Sequence, residues 1–259
     1  MKKIFISLIA GILIFSPLCR ASGEPLLTIE RVEKTATQWP DRFSRTQDVV
    51  SERSNGNEGV LNTSHLFLSH LYRSYCAGEG MIDKDILRIL EAVKFAAQKH
   101  QKQTRKDPQA TPYIIHPIGV ADHLLVIGSV HDPDILIGAL LHDTVEDTDT
   151  SFEEIRTLFG PRVEGFVREV TDDTSLPTME KKALQITHAP EKSAGAAQIK
   201  LADKLYNLND LLHAPPLDWS KERVDAYFAW ADKVVHALPW VNASLINAVD
   251  ETIASYRKK

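Results

Sequence analysis

The sequence predicts an all-α chain: a compact multi-helix bundle from about Met81 to Lys259, behind a poorly organised N-terminal extension. Three observations predict it. From Met81 onward apolar residues recur at helical spacing. The breaks between these stretches fall at glycine and proline: Pro108, Pro112, Gly160-Pro161, Pro190, Pro215-Pro216 and Pro239. No alternating strand pattern of convincing length occurs. Of the 259 residues, 43% are hydrophobic, enough for at least one buried core.

Taken in order, the first segment is residues 1–23. Lys2 and Lys3 precede an apolar run from Ile4 to Phe15, and the small residues Ala21, Ser22 and Gly23 follow. This pattern resembles a secretory signal, and the run is too short for a confident membrane span. Leu18 before Cys19 disfavours lipidation. The alternative is a translation start at Met81, preceded by a purine-rich coding stretch for Gly78-Glu79-Gly80; the protein would then be cytoplasmic, and otherwise exported. Residues 24–80 are expected to be a linker or extension, with Ser51–Ser64 rich in Ser, Asn, Gly and Glu. Within it, His65–Tyr75 has the pattern of one short amphipathic helix.

In the expected domain, residues 81–259, Ile82, Ile86, Leu87, Leu90, Val93, Ala96 and Ala97 are assigned to one helix face. Further helices are expected over Ile118–Leu125, Pro133–Thr144, Ser151–Phe159, Arg162–Thr171, Thr178–His188, Ala194–Leu208, Lys221–Leu238 and Ala243–Tyr256. Asp132 or Asp134 serves as an N-cap, and Ser151 opens a capping-box-like start.

Charge narrows the function classes. The formal net charge is -5 and the pI near 6.1, ordinary for a soluble protein and contrary to broad nucleic-acid binding. The two cysteines, Cys19 and Cys76, make no disulfide framework and no metal-binding CxxC. Oligomeric state is not readable.

Four pieces carry chemistry: His116 in YIIHP, His142-Asp143 in LLHDTVEDT, the acidic pair Glu146-Asp147, and Asp203 in KLADKLYNL. Read as one continuous helix, His142 and Glu146 lie four apart, as do Asp143 and Asp147, so four ionisable groups crowd one surface after the apolar IGALL. Burying them uncompensated is costly, and a divalent cation bound by imidazole nitrogen and carboxylate oxygen removes that cost. Pro117 should hold His116 extended, just before a helix. Singly, His116 reads as a core or capping histidine, Asp203 as a hydrogen-bonded core aspartate, and Glu146-Asp147 as a solvated helix end. Together, in the order H…HD…D, they read as a metal site. A second, basic cluster (Lys99, His100, Lys102, Arg105, Lys106) is either a solvated helix end or a phosphate clamp, and its density in an acidic chain favours the clamp.

These residues resemble the HD superfamily of phosphohydrolases. The words RKDPQATPYIIHPIGVA, ALLHDTVEDTDTSFEEI, VTDDTSLP and IKLADKLYNL resemble, more particularly, the hydrolase domain of RelA/SpoT enzymes and the stand-alone alarmone hydrolases of the metazoan SpoT homologue group. The likeness runs from about Ile82 to the C-terminus. It implies an all-helical HD-domain bundle, with His116, His142, Asp143 and Asp203 binding one Mn2+ and Glu146 and Asp147 activating or orienting the attacking water. Arg105 and Lys106 would meet the nucleotide and its phosphates, Asn207 the nucleoside, and Tyr113 would wall the pocket. Asn209 departs from the Arg that relatives often carry. No synthetase domain is expected, so the implied activity is hydrolysis of the 3′-pyrophosphate of ppGpp or pppGpp to GDP or GTP. The alternatives are another nucleotide substrate such as the 2′-phosphate of NADPH, a silent alarmone-binding module, or a purely structural helical protein.

Overall fold

The computed structural model describes residues 56–79 and 81–259. The signal-like leader and the first part of the expected linker lie outside the described residues. Helix α1 spans Gly56–Ala77, longer than the His65–Tyr75 helix expected within a linker. Its Phe67, Leu68 and Leu71 are buried, and a buried apolar stripe stabilises a helix that Ser, Asn and Gly would not form by propensity. The compact unit that holds all but its first three residues runs from Gly59 to Lys259.

The helices that follow are α2 (Asp83–Lys99), α3 (Ile115–Val126), α4 (Pro133–Leu141), the single turn α5 (Thr144–Asp147), α6 (Phe152–Phe159), α7 (Pro161–Val170), α8 (Thr178–Thr187), α9 (Ala194–His213), α10 (Lys221–Ala237) and α11 (Ala243–Arg257). Among the described residues no β-strand occurs, and no helix is long and apolar enough to cross a membrane. The all-α expectation holds. Most expected boundaries hold within a few residues, and their caps are visible. Asp132 accepts from the Asp134 amide, ahead of Pro133 in the first turn of α4, and Ser151 accepts from the Glu154 amide.

Three expectations need correction. On α2 the inward face carries Ile86, Ile89, Leu90, Ala92 and Ala96, while Ile82 and Leu87 are exposed. The apolar pattern there was wider than the buried stripe, and only the packing partner selects which edge is covered. His116 does not precede a helix but lies in the first turn of α3, with Pro117 next to it. Proline is tolerated there because the first amides of a helix have no intrahelical acceptor. Finally, α4 and α5 are not continuous: the ladder breaks at His142-Asp143. The His142 ring Nδ1–H donates to the Ala139 carbonyl (2.7 Å) and the Thr144 hydroxyl to the Leu141 carbonyl (2.7 Å). Side chains thereby take carbonyls that the next turn would use.

The core is organised around α4 and α9. Every residue of α4 from Ile135 to Leu141 is buried, as expected of a helix that is apolar all round. It packs on α2, α3, α7 and α9, while α9 packs on α3, α7, α10 and α11. Two close approaches set the depth of this packing. A Cβ on Gly138 would lie 2.9 Å from Cδ1 of Ile199, one turn before His142 on one helix and one turn before Asp203 on the other. A Cβ on Gly119 would lie 2.0 Å from the Tyr206 ring, three residues beyond His116 and three beyond Asp203. Glycine at these points lets three helices converge where the chemistry-bearing residues sit. Gly119→Ala should therefore displace the Tyr206 ring and destabilise by about 1–3 kcal/mol. A thermal melt beside wild type checks this, and an unchanged melting temperature would contradict it.

Candidate metal centre

His116 comes from α3, His142-Asp143 from the α4–α5 break, and Asp203 from α9. One ligand atom each of His116, His142 and Asp143 lies within 4.8 Å of the others. Asp203 joins them, its Oδ1 3.3 Å from His116 Nε2 and 3.8 Å from His142 Nε2. Asp143 Oδ2 stands 3.1 Å from His142 Nε2 and 3.5 Å from His116 Nε2. The two imidazoles and two aspartates thus converge from residues 87 positions apart in the chain, from His116 to Asp203.

The donors suit a divalent ion. His142 spends its ring proton on the Ala139 carbonyl, so Nε2 presents a lone pair. That nitrogen is buried without a hydrogen-bond partner, yet it faces two carboxylates. A lone pair facing anionic oxygens calls for a shared cation. Without an ion the cluster recruits a proton instead. Burial disfavours the charge on His142, but Asp143 and Asp203 outweigh it and raise the pKa to about 9. Burial likewise opposes ionisation of both aspartates, yet His142 and His116 hold Asp143, and Lys204 with the two histidines holds Asp203, well below the usual carboxylate range. The sign of metal linkage follows. A proton on His142 competes with the ion below pH 9, so affinity should rise with pH toward that value and uptake near neutrality should release a proton. Titration calorimetry in buffers of different ionisation enthalpy counts that proton, and a count of zero would contradict the assignment of His142 as a ligand.

Around this cluster Tyr113 is more than a wall: its hydroxyl donates to Asp143 Oδ2 at 2.6 Å. Asn207 donates to Asp203 Oδ1 (2.6 Å) and accepts from Arg105 (2.8 Å), which also pairs with Asp210 at 2.9 Å. The Arg105 guanidinium lies 5.6 Å from the Tyr113 ring and 5.8 Å from the Tyr206 ring. Lys106 is exposed. Glu146 is half-buried and Asp147 exposed, both beside the cluster. Burial, together with Asp172 and Asp143 for Glu146 and with Asp143 for Asp147, pushes both carboxyls above their ordinary pKa values. Glu146 Oε2 accepts from the Asp172 amide at 3.2 Å.

The basic cluster does not stay together. Lys99 pairs with Asp149 (3.0 Å) and Glu154 (3.2 Å), and His100 is buried against Tyr113. Arg105 reaches the ligand cluster through Asn207, and His100 through Tyr113, whose hydroxyl donates to Asp143. Sequence reasoning missed a second set of cations on the α9 side. Lys204 Nζ stands 3.1 Å from Asp203 Oδ2 and 4.6 Å from the Trp230 ring, Lys182 lies 4.7 Å from that ring, and Lys181 Nζ is 3.7 Å from Glu146 Oε1. Burial and the charge of Lys204 depress the pKa of both Lys182 and the buried Lys200. Lys204 beside Asp203 was visible in KLADKL, but α8 and α10 are separate stretches whose meeting no local pattern announces.

A histidine and aspartate cluster at the junction of three helices, flanked by raised carboxyls and cations, defines a divalent-metal hydrolase centre. The chain belongs to the HD domain family, whose model matches residues 92–229. It is 53% identical over 169 residues to the guanosine-3′,5′-bis(diphosphate) 3′-pyrophosphohydrolase MESH1 of Xenopus tropicalis, covering 65% of this chain and 94% of that one. To the Homo sapiens protein of the same name it is 52% identical over 162 residues, 62% of this chain and 90% of that one. Among solved structures it resembles a metazoan orthologue of SpoT described as hydrolysing ppGpp, with a TM-score of 0.63, 51% identity and coverage of 64% and 94% of the two chains.

Proposed function

We propose that this chain hydrolyses the 3′-pyrophosphate of ppGpp or pppGpp, releasing pyrophosphate and GDP or GTP. The observation that carries the reading is the complete His116, His142, Asp143 and Asp203 cluster beside two raised carboxyls, in a chain more than half identical to named ppGpp pyrophosphohydrolases over nearly their full length.

Those four residues would hold one divalent ion, Mn2+ in this reading; when bound it supplies Lewis acidity, drawing charge from phosphate oxygen and acidifying a water. The chain's own groups do the rest. Glu146, whose carboxyl is raised by burial, takes the proton from the attacking water, and Asp147 orients that water. The water oxygen bonds to the phosphorus next to O3′, the P–O3′ bond breaks, and O3′ takes up a proton. Arg105 and Lys106 offset the substrate's phosphate charge, Asn207 meets the nucleoside, and Tyr113 holds Asp143 in place while walling the pocket.

Because Lys106 is exposed, its removal should cost binding rather than fold. Lys106→Ala is expected to raise KM for ppGpp about three- to tenfold with kcat and melting temperature near wild type, the pattern of lost uniform binding. Steady-state kinetics across substrate concentration reads it directly. For the function itself, the test is a Mn2+-dependent turnover screen of ppGpp, pppGpp, NADPH and common nucleotides. Pyrophosphate release from ppGpp is expected; turnover of NADPH alone would replace the substrate, and turnover of none would leave a binding module. The compartment belongs to a separate test: N-terminal sequencing of the native protein, where Met81 supports a cytoplasmic product and a terminus at Ser22 an exported one.

A further inference from the structure

Lys200 is a buried ammonium that the mechanism above does not use. It sits on α9, three residues before Asp203, with only 7% of its surface exposed. Among the described residues it makes no ion pair; its Nζ donates to the carbonyl of Val170, the last residue of α7, at 3.2 Å. Two residues beyond that carbonyl, the Asp172 amide donates to Glu146 Oε2. The corner between them is held from other sides as well. Lys192 donates to the Glu169 carbonyl, the Thr171 hydroxyl donates to the Val167 carbonyl (2.8 Å), and Gln185 donates to the Asp172 carboxylate. A methionine or leucine would fill the space of Lys200 without the cost of desolvating a charge. What only a lysine offers there is a cation donating to the carbonyl end of α7, where the helix dipole favours positive charge, beside the carboxylates of Asp143, Glu146, Asp172 and Asp203.

We infer that Lys200 is a positioning residue for Glu146, fixing the turn after α7 so that the Asp172 amide is aimed at the Glu146 carboxylate. The inference rests on Glu146 as the proton acceptor. Its physical content is a relay of two hydrogen bonds, Lys200 to the Val170 carbonyl and the Asp172 amide to Glu146 Oε2, joined by the short backbone from Val170 to Asp172. The charge of Lys200 acts on the same carboxylate, lowering a pKa that burial raises.

The test is a double-mutant cycle read by two methods on the full chain. Lys200→Met should lower kcat for ppGpp about tenfold with KM little changed, and Lys200→Arg should recover part of the loss. In a Glu146→Gln background, Lys200→Met should change kcat by less than about twofold, because the group it positions is gone. Independently of activity, hydrogen exchange at the Asp172 amide should be faster in Lys200→Met than in wild type. Unchanged kcat, an equal loss in both backgrounds, or unaltered Asp172 exchange would overturn the inference. Should Lys200→Met not fold, Lys200→Gln, which removes the charge and shortens the reach to the Val170 carbonyl, carries the same comparison. If Glu146→Gln alone keeps wild-type kcat, the proton-acceptor reading falls, and the Asp172 exchange still decides the relay.

Discussion

Asp143→Ala is expected to abolish pyrophosphate release from ppGpp, a loss of about 10³-fold or more, while the protein stays folded. Among the described residues Asp143 is in contact range of both histidines and of the Tyr113 hydroxyl, so its carboxylate would serve both as a ligand and as the acceptor that orients Tyr113. Removing it leaves His142 and His116 with Asp203 alone and takes one negative charge from a buried site, where ion affinity depends on charge count. The fold should persist, because the apolar face of α4 and the Gly138–Ile199 approach are untouched. Pyrophosphate release, metal content of the purified chain and circular dichroism, measured together, check this. Wild-type turnover in the variant would mean that the cluster is not the reaction centre.

Glu146→Gln carries the second-largest expected effect: kcat lower by about 10²–10⁴-fold, with KM and metal content near wild type. The amide keeps the size of the side chain and an oxygen that accepts from the Asp172 amide, so the geometry of the α5 turn survives. What is lost is the carboxylate that accepts a proton. Asp147→Asn is the matched control, since Asp147 shares the raised pKa but, like Glu146, lies outside the four-residue ligand set. If the glutamate accepts the proton, the asparagine variant should lose less. An equal loss from both would make them a coupled pair, and full activity in Glu146→Gln would end its role as base.

Much of this was legible in the residues. Helical periodicity, caps such as Asp132 and Ser151, and the Gly and Pro breaks placed most helices, because these are short-range effects that local chemistry controls. The H…HD…D order was legible for a different reason: histidines and acids beside apolar runs are costly unless they share a purpose. The errors share a cause too. The extent of α1, the edge of α2 that is buried, and the break at His142-Asp143 depend on partners distant in sequence or on side chains competing for carbonyls. The basic run Lys99–Lys106 looked like one clamp, yet Asp149 and Glu154 claim Lys99, and Asp210 holds Arg105.

By itself the amino-acid order determined an all-helical chain and the kinds of atom available to bind an ion, because periodicity and ligand chemistry are properties of residues and their near neighbours. Tertiary structure alone decided which atoms meet. Gly119 against Tyr206 and Gly138 against Ile199 set the distances at which α3, α4 and α9 cross, and that crossing brings Asp203 to within 3.8 Å of both histidines. It also put Lys200 at the end of α7 and Lys204 on Asp203. Contacts across such sequence separations are chosen by close packing of whole helices, a condition that no local window of sequence expresses.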